Sequence, residues 1–169
     1  MNEEYPIDER YRVLPIAESD ITEEDVLALW QRETGIAEAD ARKRVHEVQL
    51  VAVNADGHLA GISTAYVQRS RPLGMDLWHY RTYVAVDERH GNLMARLALA
   101  VRDLLEERFV EGEDTRASGM AYEVENQGLK SYFNRALWLP LDAQFIGENK
   151  QGAHLRVRYF PGARAPLPS

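Results

Sequence analysis

Tyr80, Thr82, Val84 and Val86 alternate along an extended segment, and a polar loop from Asp87 to Gly91 interrupts it. Leu93, Leu97, Ala100, Val101, Leu104 and Leu105 then recur at helical spacing. The order is strand, short loop and helix start. A helix start gathers backbone N–H groups that lack an intrahelical partner, together with the positive end of the peptide dipoles, so this junction can hold a phosphate. An ordinary strand-to-helix connection without a ligand would show the same local pattern, and the rest of the chain has to decide between them. Metal chemistry has no comparable signal. The histidines show no spacing such as His-x-x-x-His, and the complete absence of cysteine excludes disulfides, thiolate metal sites and a cysteine nucleophile.

The elements around that junction belong to a chain of 169 residues, 45% hydrophobic and 28% charged, a globular composition long enough for one domain over 1–169 with its own core. The formal net charge of −7 argues against nucleic acid as a main partner, because phosphate backbones need a concentrated basic face. It would favour a cationic substrate such as an amine, although solubility is the commoner reason for such a charge. The acidic N-terminus lacks the apolar core of a secretory signal, and no apolar run approaches membrane-spanning length; cytoplasm is the default expectation.

Tails are expected over 1–10 and 161–169, and a short strand over Tyr11–Ile16. Thr22 reads as an N-cap followed by Glu23, Glu24 and Asp25, opening a helix that ends near Thr34-Gly35. A second, charged helix runs from about Ala37 to Val48. Strands at 50–53 and 59–67 flank a hairpin turn, Asn54 to Gly57, and a third strand covers Leu77–Val86. After the long helix come a strand within 116–124, a helix from Gln127 to about Ala136 that is broken by Trp138-Leu139-Pro140, and a final pair of strands around Phe145 and Leu155–Phe160. The expected fold class is α/β (α+β), a mixed and mostly antiparallel sheet of about seven strands flanked by four helices.

Two stretches carry a family resemblance. Val84 and Arg89 stand at the spacing of a Val-x-Pro strand end followed by Arg/Gln-x-x-Gly-x-Gly/Ala at a helix start; Val86 replaces the proline, and Asn92 and Met94 replace the glycines. Asparagine tolerates the left-handed backbone that glycine serves there, whereas Met94 puts a side chain where backbone should approach pyrophosphate. Later, Asn126-Gln127-Gly128-Leu129-Lys130-Ser131-Tyr132 is similar to an Asn-x-x-Ala-x-x-x-Tyr pattern, with Tyr132 six residues after Asn126 where the pattern has seven. Together, in this order, they resemble the GNAT superfamily of acetyl-CoA-dependent N-acetyltransferases, and by that family's layout they cover about the whole domain core.

That resemblance implies direct attack of an amine on the thioester of acetyl-CoA, the co-substrate. Amides from Gly91 through Asn92, Leu93 and Met94 to Ala95 would hold the pyrophosphate with Arg89 and Arg96. The pantetheine would lie along the strand of Val84, with the N–H groups of Val84 to Val86 as candidate oxyanion donors and Asn126 as a further cofactor-side residue. Tyr132 occupies the place of the acid that protonates the leaving thiolate, a fitting task for a phenol with an ordinary pKa near 10. Its apolar neighbours equally suit a core or rim residue, and Asn126 suits a helix cap. The base that takes the amine proton has no motif: His79, Glu123 or water held by either are the candidates, with His79 the nominal choice. No metal is implied, and the partners are acetyl-CoA and an amine acceptor of a small molecule or protein. A homodimer through the final strands is open to such folds, without a marking sequence. The alternative function is a non-catalytic acyl-CoA sensor, motivated by Asn92 and Met94.

Overall fold

The computed structural model describes residues 9–132 and 134–168, so most of the expected N-terminal tail, residues 1–8, lies outside the described residues, as does Phe133. Eight strands form a mixed sheet: β1 (Tyr11–Leu14), β2 (Val48–Asn54), β3 (Leu59–Ser70), β4 (Met75–Val84), β5 (Gly119–Val124), β6 (Leu137–Trp138), β7 (Ala143–Glu148) and β8 (His154–Tyr159), ordered β1-β2-β3-β4-β5-β8-β7-β6. Four helices accompany them: α1 (Glu23–Thr34), α2 (Glu38–Arg44), α3 (Leu93–Val110) and α4 (Gln127–Tyr132). The strand β4 pairs with β5 in parallel, and the β1–β2, β2–β3, β5–β8, β6–β7 and β7–β8 pairs are antiparallel. The chain divides into two compact units, one holding residues 9–65 and 81–101 and the other 66–80 and 102–168; β3, β4 and α3 contribute to both.

In the first unit, α1 begins as its sequence dictates. Thr22 accepts from the Asp25 N–H at 3.2 Å while the Asp25 carboxylate accepts from the Thr22 N–H at 2.8 Å, a reciprocal capping box. Val26, Leu27, Leu29 and Trp30 then face Val51, Val53 and Ile62 of the sheet. On the alternate positions, Ala52, Ala60 and Val84 meet Leu93 and Leu97 of α3 with Tyr11. β2 is buried on both faces, and the alternation of its side chains separates α1 and α2 from α3. At Gly61 the fit to α3 is tight: a Cβ there would stand 2.8 Å from the end of the Leu97 side chain, which would have to shift.

The second unit carries the β5–β8–β7–β6 ladder, with Trp78 and His79 of β4 paired to Met120 and Ala121. Arg158 of β8 donates to Glu106 of α3 at 2.8 Å and to Asp142, and Arg102 donates to the Pro140 carbonyl at 2.9 Å. These bonds hold the β6–β7 turn against the second half of α3.

Two expectations need correction. The sheet has eight strands rather than seven, because Leu137 and Trp138 pair with Gln144 and Ala143. Helix α4 is also shorter than expected, with Tyr132 its last residue. The carbonyl of Ala136 accepts from the Phe145 N–H at 2.7 Å, and that of Arg135 accepts from the buried Arg156 guanidinium at 2.8 Å. These bonds tie residues 135 and 136 to the sheet, directly ahead of β6. Smaller shifts are β3 running on to Ser70, β4 giving way to a 3-10 turn at Val86–Glu88, and α2 giving way to one at Val45–Glu47.

Candidate functional site

The expected phosphate-binding stretch lies in the first unit, where β4 ends at Val84 and α3 begins at Leu93. The loop between them is tied down from three sides. Glu88 accepts from the Tyr11 hydroxyl at 2.5 Å and from the Asn54 side-chain amide at 2.8 Å, bonds that hold its carboxyl below the usual glutamate range. Arg89 folds back on its own strand, with Nε donating to the Val84 carbonyl at 3.0 Å and the guanidinium 5.2 Å from the Tyr83 ring centre. Arg96 donates to the Tyr11 carbonyl at 2.9 Å.

Gly91 takes the left-handed step, φ 108°, and Asp142 is the one non-glycine residue with positive φ among the described residues. Asn92 therefore replaces a glycine without backbone strain, and the left-handed role expected of it falls one residue earlier. The Asn92 carbonyl accepts the first helical bond, from Arg96 N–H at 2.9 Å, so the N–H groups of Leu93, Met94 and Ala95 have no intrahelical acceptor. Leu93 is buried under the sheet, whereas Met94 is 47% exposed, and Val86 at the other end of the loop is 55% exposed. The methionine side chain thus stands in solvent beside the helix-start amides.

Of the expected oxyanion donors, Ala85 N–H bonds the Ala60 carbonyl at 2.8 Å, and Val86 N–H bonds both oxygens of Glu33, at 3.3 and 3.2 Å. Glu33, from the last turn of α1, also reaches the Tyr83 phenol. Burial, and then that bond, raise the phenol above its ordinary range. Sequence reasoning missed Glu33 altogether. Only its polar position late in an amphipathic helix hinted at it, and that position does not name a partner in β4.

The second unit holds the remaining candidates. His79 is half-buried on β4, its ring stacked on Tyr66 with centroids 5.4 Å apart. Asn126 is the cap of α4: its side-chain oxygen accepts the Leu129 N–H at 3.1 Å, and its carbonyl accepts the Lys130 N–H at 2.9 Å. Tyr132 closes α4, and its side chain lies outside the described residues. The structure therefore gathers Val84, Val86, Arg89, Gly91, Asn92, Leu93, Met94 and Ala95 at one strand–loop–helix junction of the first unit, and His79, Asn126 and Tyr132 belong to the second. Among the described residues, no group of histidines and acids is arranged to hold a metal ion, and no helix is long and apolar enough to cross a membrane.

No protein-family model matches the chain, and no curated protein matches it. Solved structures do. A ribosomal-protein-S5-alanine acetyltransferase from Vibrio fischeri is 14% identical with a TM-score of 0.59, over 92% of this chain and 96% of that one. A GCN5-related N-acetyltransferase from Kribbella flavida is 17% identical with a TM-score of 0.59, over 89% and 98%. The AAC(6')-Ib structure, in complex with paromomycin and acetyl-CoA, is 15% identical with a TM-score of 0.56, over 89% and 94%. At these identities the likeness speaks for architecture, over nearly the full length of both partners. The chain has the mixed α+β fold of the GNAT acetyltransferases.

Proposed function

We propose that this chain is an N-acetyltransferase, a single GNAT domain over 1–169 that moves the acetyl group of acetyl-CoA to an amine by direct attack. The observation that carries the reading is the β4–α3 junction. In a fold shared with acetyltransferases along nearly its whole length, a strand ends, Gly91 makes a left-handed step, and an 18-residue helix opens with three amides free of intrahelical acceptors. Such amides suit the pyrophosphate of acetyl-CoA, the donor present in the AAC(6')-Ib complex.

The substrate thioester supplies the acyl group; the chain supplies position and protons. Residues Gly91 to Ala95 bind the diphosphate through backbone, and the edge of Val84 orients the arm. Tyr132 is assigned the proton for the leaving thiolate, and His79 the uptake of the amine proton, directly or through water.

Release of free thiol from acetyl-CoA against a panel of amines tests the reading. Acceptor-dependent release is expected; a folded protein without release for any amine would overturn it. Melting with and without CoA separates binding from catalysis, because a ligand that binds only the folded state raises the melting temperature. A shift without turnover would make the protein an acyl-CoA binder rather than an enzyme.

A further inference from the structure

We infer that a cavity beside β4 binds a carboxylate, and that the acceptor is accordingly a small amine carrying one, an α-amino acid with an apolar side chain. The inference rests on the acetyltransferase reading for the word acceptor, but not for the binding site itself. The cavity lies wholly in the first unit, holds about 250 Å³, and is lined in part by Trp30, Ile62, Thr64, Arg44, Arg81 and Tyr83. That volume falls below the roughly 300–1,000 Å³ usual for drug-sized ligands, so it takes a small molecule or one end of a larger one. Thr82 and Tyr83 line it, and the chain runs on directly into the loop assigned to acetyl-CoA.

The charged residues of its lining are of one sign. Arg44, at the end of α2, sets its guanidinium 5.9 Å from the centre of the Trp30 ring, and Arg81 enters from β4. Arg81 also meets Glu47 at 3.4 Å, well beyond the roughly 2.7–2.9 Å of a tight charge-assisted bond. Glu47 is not part of the lining, so the two charged residues that line the cavity are both arginines, although the whole chain carries a net charge of −7.

The second, independent observation is Thr64. The residue is 2% exposed, and its hydroxyl has no hydrogen-bond partner among the described residues. Its neighbours show what a settled hydroxyl looks like here: Ser63 donates to the Leu50 carbonyl at 3.1 Å, and Thr82 to the Ile62 carbonyl at 3.4 Å. A buried hydroxyl left unbonded costs stability, so a ligand atom that bonds it restores what folding gives up. One carboxylate can accept from a guanidinium fork and from this hydroxyl, while Trp30, Ile62 and Tyr83 offer apolar walls to an aliphatic group.

The test uses N-acetyl-L-leucine and N-acetyl-L-leucinamide as paired probes in calorimetry. The acid should bind at least about 10-fold tighter than the amide, as expected for a charge-assisted bidentate pair. In Arg81→Gln and Arg44→Gln that ratio should fall toward unity. Thr64→Val, which keeps the shape and removes the hydroxyl, should weaken the acid and raise the melting temperature by about 2–4 °C, a combination that a purely structural threonine would not give. Equal binding of acid and amide to the wild type, or inorganic phosphate binding as tightly as the acid, would overturn the inference.

Turnover separates the two readings. Thiol release with L-leucine should exceed that with L-leucinamide. Equal release with equal probe binding would sink the carboxylate site and leave the acetyltransferase. Absence of release with every amine, beside an intact acid preference in calorimetry, would do the reverse.

Discussion

Both oxygens of Glu33 accept the backbone N–H of Val86, at 3.3 and 3.2 Å, so a carboxylate from α1 occupies a donor at the mouth of the candidate cofactor loop. A ligand that needs this N–H must displace Glu33 and break its long bonds to the carboxylate, a cost of about 0.7–1.4 kcal/mol, the net worth of one hydrogen bond. Glu33→Ala should therefore tighten CoA about 3- to 10-fold by calorimetry, the range that such a cost converts to. Unchanged or weaker binding would mean that Val86 N–H takes no part in holding CoA.

The same loop is pinned by Glu88, and its carboxyl supplies a pH signature. Hydrogen bonds from Tyr11 and then Asn54 lower its folded-state pKa. A carboxyl whose pKa is depressed by folding contributes stability above its unfolded value, about 4.3, and loses that contribution as pH falls through the folded value. Asp25 and Asp114 are lowered too, so the wild-type curve alone does not isolate Glu88. Melting temperature against pH from about 3 to 7 should fall less steeply below the glutamate range in Glu88→Gln than in the wild type. Parallel curves would show that the Tyr11 and Asn54 bonds carry no net stabilisation.

Local signals in the sequence reached far into this fold, and their limits have physical causes. Thr22 and Asp25 announce a cap because both partners lie within one helical turn, and the Leu93-to-Leu105 spacing announces α3 because one buried stripe shapes it. The two-residue strand Leu137–Trp138 exists only through its partners Gln144 and Ala143, and the residues just ahead of it, Arg135 and Ala136, are tied by their carbonyls to Arg156 and Phe145. Those partners lie more than one helical turn away. In the candidate site, the loop was legible as strand, turn and helix. Glu33 was not, since its partner lies 53 positions away, nor was the cavity, whose arginines come from α2 and β4 and whose threonine comes from β3.

Gly119 offers a test of the second unit. A methyl group there would collide with the backbone carbonyl of Arg158 and crowd the Cα of Tyr159, 3.0 Å away, where β5 and β8 run side by side. Backbone cannot rotate out of the way as a side chain can. Gly119→Ala should destabilise the protein at or above the upper end of the ~1–3 kcal/mol typical of overpacking, read as a drop in the denaturation midpoint. A change within about 0.5 kcal/mol, the range of surface substitutions, would show that β5 and β8 have slack at this crossing.

The Asn126 side chain is spent on capping α4, and under the proposed acetyltransferase reading that assigns it a positioning role and assigns the proton transfer to Tyr132, the helix's last residue. Asn126→Ala should cost about 1 kcal/mol of cap energy and lower turnover by loosening the helix that carries the phenol. Asn126→Ser, which restores a capping oxygen, should recover both stability and turnover; recovery of stability without turnover would mean that the amide touches substrate. Tyr132→Phe keeps the ring and removes the proton. If the phenol is the acid for the departing thiolate, kcat should fall by about 10²- to 10⁴-fold while CoA affinity stays within about 2-fold. An equal loss in both would take Tyr132 out of the acid role and make it a binding residue.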